Sequence, residues 1–453
     1  MATDSRLLSF PRGGVHPHES KERTEKLPLL TSEPPAVVEV LMLQHLGAPA
    51  KPVVERKSAV KKGQLVGEAH GYISANVHSP VSGTVKVVEP RLHAPTGLMV
   101  PAVIIENDGR EEWAEGCNEP VDADSMEPKE MVELVRQAGV VGMGGATFPT
   151  HVKLSPPPEH KITDFILNGC ECEPYLTCDH RLMIERTADV LDAVRLIMHI
   201  VGARKGHVAI ERNKPDAIAA FEQALTNEPS IQVHPLKVKY PQGAEQQAIT
   251  AVTGREVPSA GGLPGDVSCL VHNVATVLAV RDAIRLRRPL IERPLTITGE
   301  GIENAGNFIE RVGTNVEALL ERQGMRAGAN LLVLGGPMMG VAQGQFNVPL
   351  LKGTSGVLLL FCEEVPPQRS CIRCGRCVEN CPLGLMPGQL SIAAENRDWD
   401  MARDLGMLEC KECGCCAYVC PARRRIVQLV RFGKAELAKR KRKARQRDKQ
   451  NSS

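Results

Sequence analysis

Aromatic side chains are scarce in this 453-residue chain: Phe, Tyr and Trp together make up 3% of it, with only two tryptophans and four tyrosines. A surface that stacks nucleobases needs repeated rings, so the composition counts against nucleic-acid binding. Long apolar runs are also missing. The longest, Gly356 to Cys362, is strand-sized and far short of the ~20 residues that cross a bilayer. Met1 to Gly14 holds no apolar signal core. The expectation is a soluble or peripheral protein on the cytoplasmic side. No single sign of charge dominates, since the net charge is +2. Its distribution is uneven, however. Residues 423–449 carry thirteen Lys or Arg against Glu436 and Asp448, a net +11, which leaves −9 for the remainder. A hydrophobic content of 42% is ample for the roughly three or four domains that this length accommodates.

Cysteine is the residue that is present in excess, fifteen in all. Eight of them form two copies of one spacing: Cys371-x2-Cys374-x2-Cys377-x3-Cys381-Pro382 and Cys410-x2-Cys413-x2-Cys416-x3-Cys420-Pro421. This is the bacterial ferredoxin run, in which each run gives three thiolates to one [4Fe–4S] cluster and its fourth to the other. The expected sets are therefore Cys371, Cys374, Cys377 and Cys420, and Cys410, Cys413, Cys416 and Cys381. Zinc also binds C-x2-C pairs, but zinc sites usually join two widely spaced pairs rather than compact runs of four closed by Pro. Disulfides do not suit a chain without a secretory signal. Cys415 falls off the spacing and is expected to be dispensable.

Along the chain, residues 1–34 read as a polar, Pro-rich N-terminal arm. Residues 35–110 read as short strands, with Val60 to Gly67 and Val77 to Val85 as paired units that resemble a biotinyl/lipoyl-type barrel sandwich. The stretch between them, Glu68 to Asn76, lacks the Lys that such domains modify, so the fold is expected without the prosthetic group. Residues 111–290 alternate helical and strand-like patterns, as an α/β domain does. Helices are predicted over 128–138, 185–201 and 214–225, and strands over 161–167, 207–210 and 231–238. Residues 291–352 suit a small β-grasp domain around a helix at 316–323. Residues 353–430 hold the cysteine runs in a two-cluster ferredoxin-like helical domain. Residues 431–453 form a basic tail, expected as a solvated helix or a disordered segment.

The α/β region carries a second constellation. In Gly139-Val-Val-Gly142-Met143-Gly144-Gly145-Ala-Thr-Phe-Pro149, absent Cβ atoms let backbone N–H groups approach a phosphate, and Lys153 adds a point charge. The spacing is not that of the dinucleotide fingerprint. Asn168-Gly-Cys-Glu171-Cys-Glu173-Pro174 follows a predicted buried strand, where acids suit ribose or flavin-edge contacts. Tyr240-Pro-Gln-Gly-Ala-Glu245 and Val271-His-Asn273-Val-Ala-Thr276 follow. Cys170, Cys172 and Cys178 are spaced unlike any common metal site and are expected to be structural.

These segments resemble the flavin-binding subunit of respiratory complex I. The resemblance implies that Gly142, Gly144, Gly145 and Lys153 line the phosphate and ribityl side of a non-covalent FMN. It assigns Asn168, Glu171 and Glu173 to the isoalloxazine or nicotinamide side, with the two acids as the catalytic pair, and Asn273 to the ribityl phosphate. Two positions depart from that family: Met143 stands for an Arg, and Gly243-Ala-Glu-Gln246 for a G-E-E-T segment. NADH binding, which leans on the acids, is more exposed to these changes than FMN binding. The whole order, together with Gly13 to Pro17 and Gly335 to Gly340, resembles the C subunit of the Rnf/Rsx ion-translocating electron-transport complex. That resemblance implies a peripheral subunit on the cytoplasmic face of the inner membrane, passing electrons between NADH and ferredoxin-type carriers. Its partners would be the other subunits of the complex and, through the basic tail, an anionic membrane surface. A soluble flavin/iron–sulfur reductase such as a cobalamin reductase, and a non-catalytic cluster relay, are the alternatives.

Overall fold

The computed structural model describes residues 7–259, 261–362 and 367–451. A short strand, β1 (Leu29–Thr31), ends the N-terminal arm. Seven strands follow: β2 (Val37–Leu41), β3 (Lys51–Pro52), β4 (Ala59–Val60), β5 (Leu65–Glu68), β6 (Val77–His78), β7 (Gly83–His93) and β8 (Leu98–Asn107). They form two antiparallel sheets, β2-β8-β7-β4 and β3-β5-β6. Side-chain alternation sets the packing. Val38, Val40, Val103 and Ile105 fill the space between the sheets, whereas Leu41, Ala102 and Ile104 face the other way, onto Leu351 of a later domain.

The α/β domain comprises α1 (Pro128–Gln137), α2 (Thr150–Lys153), β9 (Asp164–Gly169), α3 (Cys178–Glu185), α4 (Thr187–Val201), β10 (Lys205–Glu211), α5 (Pro215–Ala224), β11 (Ile231–Leu236), α6 (Glu245–Thr253), β12 (Cys269–Asn273) and α7 (Val274–Leu286). Its four strands are all parallel, in the order β11-β10-β9-β12. Such a sheet must be covered on both faces. One cover is α4, whose Val190, Leu191, Val194 and Ile197 recur at helical spacing and pack in one core with Val277, Leu278 and Val280 of α7. The predicted helix over 185–201 is α4 from Thr187 onward, and Arg186 leaves the helical region (φ −131°, ψ 33°) between it and α3.

The third domain contains β13 (Glu292–Thr298), β14 (Gly306–Arg311), α8 (Val316–Gln323), β15 (Leu331–Leu334), β16 (Val341–Gln343) and β17 (Gly356–Leu360). The sheet order is β1-β14-β13-β17-β15-β16, with β13–β17 parallel at its centre. This is a β-grasp arrangement, with an extra edge strand. Helix α8 starts where the Asn315 side chain accepts the Ala318 N–H and stops at Gly324, at φ +79°. Two predicted boundaries are corrected here. Strand β17 lies beyond residue 352 yet supplies the central strand, its Val357, Leu358 and Leu359 fully buried. Strand β1 belongs to the 1–34 arm in sequence but pairs with β14 in parallel.

The last domain is helical: α9 (Arg376–Glu379), α10 (Pro387–Glu395), α11 (Trp399–Asp404), α12 (Cys415–Tyr418) and α13 (Ile426–Asn451). A separate tail from residue 431 is also corrected. Helix α13 runs unbroken through that boundary, and its first turns belong to the domain. Leu437 packs against the Leu390–Met407 core, Lys434 Nζ donates to the Cys410 carbonyl at 2.8 Å and to Glu412 at 2.5 Å, and Arg440 lies over the Trp399 ring. Among the described residues, no helix is long and apolar enough to cross a membrane.

Candidate flavin and iron–sulfur sites

Parallel sheets gather ligands at the carboxyl ends of their strands. Here β9 ends on Asn168-Gly169 and β12 on Asn273, and the two asparagines are register partners. Asn273 caps α7: its Oδ1 accepts the Ala275 N–H at 2.9 Å, and its Nδ2 donates to Asp179 at 2.5 Å. The Gly142–Gly145 loop lies against it. A Cβ on Gly144 would fall 2.7 Å from the Asn273 Cβ, so only glycine allows this approach. Gly144 and Gly145 are exposed, and their N–H groups have no protein partner among the described residues. Unpaired N–H donors beside a capped helix N-terminus fit an anionic phosphate. Asn168 donates to the Gly243 carbonyl at 2.7 Å, which brings the Tyr240–Glu245 segment to the same edge. Lys153 also arrives there, already occupied: its Nζ donates to Glu245 and to the Val271 carbonyl, both at 2.6 Å.

The two acids of the Glu171-Cys172-Glu173 segment part company. Glu171 sits at φ +45° and points inward, accepting the Asp179 N–H at 2.7 Å and the His180 N–H at 3.3 Å. The buried Lys21 of the arm donates to the Glu171 and Leu176 carbonyls at 2.6 and 2.7 Å, pinning this turn. Glu171 and Asp179 share one pocket with Cys178. Burial first, and the Glu171 charge second, push the Asp179 carboxyl up to about 7. Glu173 turns the other way. Its carboxylate accepts the N–H groups of Met338 (3.1 Å) and Met339 (2.9 Å) and the Tyr240 hydroxyl (3.4 Å). Burial outweighs these donors and raises it to about 7. Its oxygens are engaged by the β-grasp loop, which places Glu173 at a domain junction in this structure.

Tyr240 carries that junction to the cysteine runs. Its hydroxyl donates to the Cys413 carbonyl at 2.7 Å, and its own backbone pairs with Val15 of the arm. Gly13 of the arm lies so close to Cys381 that a Cβ would meet its backbone at 2.6 Å. Cys381, Cys410, Cys413 and Cys416 line one narrow pocket, together with Cys415. Burial, followed by Cys413, Cys410 and Cys381, raises the Cys416 thiol. Burial is also the main cause at Cys377, and the thiols raising it further are Cys371 and Cys420. Cys381 thus sits with Cys410, Cys413 and Cys416, and Cys420 lies near Cys371 and Cys377. Backbone N–H groups of Leu383, Gly384 and Leu385 face Cys381, and that of Gly388 faces Cys377. Such donors suit the thiolates of an iron–sulfur cluster. Cys415 is fully buried, with Sγ 3.9 Å from the Tyr240 carbonyl. Cys170, Cys172 and Cys178 do not converge: their partners are the Ala209 carbonyl, the Gly243 N–H and the Ser355 carbonyl.

Comparison with known proteins agrees with this layout. Residues 9–110 match the RnfC barrel sandwich hybrid domain, 135–282 the Nuo51 FMN-binding domain, and 370–423 the 4Fe-4S dicluster domain. The C subunit of the proton-translocating ferredoxin:NAD(+) oxidoreductase complex of Clostridium ljungdahlii is 44% identical over 95% of this chain and 94% of its own. The chain belongs to the RnfC family. Its counterpart in the Na(+)-translocating complex of Acetobacterium woodii is 41% identical, over 95% of this chain and 98% of its own length. The C subunit of the ion-translocating oxidoreductase complex of Rhodobacter capsulatus is 40% identical, over 96% and 84%. This family member thus carries an FMN-binding domain and a dicluster domain, and works as a peripheral electron-transfer subunit. Tyr240, Asp179, Lys21 and the Met338–Met339 loop were not singled out as site residues by the sequence. Tyr240 and Met338–Met339 were marked only by their place in Tyr240 to Glu245 and Gly335 to Gly340, and Lys21 and Asp179 lie outside every segment quoted.

Proposed function

We propose that the chain is the NADH-facing subunit of a membrane complex that moves electrons between NADH and ferredoxin-type carriers and couples this to ion translocation. The observation that carries the reading is the Tyr240 hydroxyl on the Cys413 carbonyl. Two residues separate Tyr240 from Gly243, which touches Asn168 at the sheet edge, so one short segment spans the flavin edge and a cluster loop. Bound FMN supplies the exchange between hydride and single-electron chemistry. The protein's part is positioning. Gly142, Gly144, Gly145 and the start of α7 would hold the phosphate, with Lys153 exchanging its Glu245 partner for it. Asn168, Asn273 and Glu171 would fix the ring and ribityl side, beside the Asp179 carboxyl that burial raises. The cluster of Cys381, Cys410, Cys413 and Cys416 is then the one nearer the flavin. The basic end of α13 would orient the subunit on an anionic cytoplasmic leaflet.

The N-terminal barrel sandwich disfavours a soluble cobalamin-type reductase. Anaerobic titration of the flavin- and cluster-loaded protein with NADH separates the remaining readings. Bleaching of both flavin and cluster absorbance is expected. No change at either band would leave a cluster relay that binds no nucleotide.

A further inference from the structure

The two cluster sites differ in their surroundings. The Cys381/Cys410/Cys413/Cys416 site is covered by the arm, by Tyr240 and by Met338, whose carbonyl would lie 2.8 Å from a Cβ on Gly414. The other opens outward. Cys374 is exposed, and Ile372, two residues before it, is 67% exposed. Five arginines lie in the two segments that carry these cysteines. Arg369 precedes the first run, Arg373 and Arg376 sit in its gaps, and Arg423 and Arg425 follow Cys420. The two segments are neighbours, because the Arg369 N–H donates to the Ala422 carbonyl at 3.0 Å and the Arg425 N–H to the Gln368 side chain at 3.1 Å. All five arginines are exposed, and none has a side-chain hydrogen bond or ion pair among the described residues. Elsewhere in this domain Arg403, Arg424 and Arg431 are paired with acids, while Arg397 is exposed without a side-chain partner among the described residues.

Unpaired guanidinium groups beside an exposed apolar residue form a surface that attracts an anionic partner and steers its encounter. Arginine rather than lysine also suits carboxylates, which it binds in a planar fork. We infer that this arginine-rich face is the docking surface for an acidic, low-potential iron–sulfur protein or domain, and that the Cys371/Cys374/Cys377/Cys420 cluster is the electron port to it. The occupant is identified by its charge and by the chemistry of that cluster. One electron leaves the partner's reduced cluster and enters this one, or the reverse, with no bond made or broken. Two such transfers balance one hydride. The identity of the partner rests on the proposed function, but the test reads binding and so does not depend on turnover with NADH.

The experiment is anaerobic calorimetry of the cluster-loaded chain with an acidic bacterial two-[4Fe–4S] ferredoxin, at ~0.02 and ~0.15 M salt. The unsubstituted chain should bind and weaken steeply with salt. Arg373→Glu/Arg376→Glu/Arg423→Glu should weaken binding at low salt by about tenfold or more and flatten the salt slope, with iron content unchanged. If that variant loses iron, Arg369→Gln/Arg425→Gln, outside the ligand gaps, should weaken binding by a few-fold instead. Unchanged affinity in an iron-replete variant overturns the inference. So does loss of ferredoxin binding on removing residues 441–453 while the five arginines are intact, because attraction would then lie in the helix. Binding of the face to phosphatidylglycerol vesicles, abolished by the same reversal and without ferredoxin binding, would make it a lipid surface and also overturn it.

Discussion

Replacing Glu173 by Gln tests the junction where flavin domain, β-grasp loop and cluster loop meet. In the folded protein this carboxyl titrates at about 7, raised by burial from the ordinary 4.5. A raised acid favours the folded state fully below its unfolded value and loses that advantage as pH climbs through 7. Between pH 5.5 and 8 the linkage from 4.5 to about 7 removes about 2 kcal/mol. Gln keeps a carbonyl acceptor for one of the Met338 and Met339 N–H groups but never ionises. The measurement is amide hydrogen exchange of the peptide containing Met338 and Met339, corrected for the intrinsic pH dependence of exchange. If opening of this loop frees Glu173, protection in the unsubstituted protein should fall about 30-fold across that range. Protection in Glu173→Gln should stay flat. Equal pH slopes in the two proteins would show that Glu173 does not titrate in this contact.

Three further outcomes follow from other contacts. Gly144→Ala places a Cβ 2.7 Å from the Asn273 side chain, so the purified variant should lose bound flavin, read by fluorescence after acid release, while keeping its iron. Cys416→Ala should lose about half of the roughly eight irons expected from two clusters, whereas Cys415→Ala, whose thiol faces the Tyr240 carbonyl, should keep them all by colorimetric iron assay. Removing residues 441–453 should leave thermal stability unchanged and make binding to anionic vesicles more easily stripped by salt. Cutting at Lys434 instead should lower the melting temperature and release iron, because it removes the donor to the Cys410 carbonyl.

What the sequence disclosed, and what it withheld, divide by range. Helix α8 was predicted at its observed residues because Asn315 starts it and Gly324 stops it, both within the segment. The parallel strands β9, β10 and β11 were found within a few residues, from runs such as Phe165-Ile166-Leu167. The crossed cysteine sets are what the spacing of the ferredoxin run leads one to expect. The contacts that join the domains have no such local signature. Nothing around Gly356–Leu360 says that it inserts between β13 and β15, since a buried central strand reads as a plain apolar run. Glu173 looked like a site acid because it stood beside Glu171. Its true partners lie 165 residues away, in a loop whose only mark was its glycines. Gly336 is required there since a Cβ would fall 2.2 Å from the Glu173 carboxylate, a constraint no local pattern carries.

The arm has a consequence for how the protein is made. Its first residues leave the ribosome early, yet their partners are synthesised late: Leu8 meets Leu236, Val15 meets Tyr240, and Gly14 donates to Asn380. Until those partners exist the first part of the arm lacks these contacts, and its last contact is next to a cluster cysteine. Fastening of the arm is therefore coupled to maturation of the far end of the chain. Polypeptide waiting for its iron should present a loose, protease-accessible N-terminus, and an affinity tag placed there would sit within reach of the cluster it is meant to leave undisturbed.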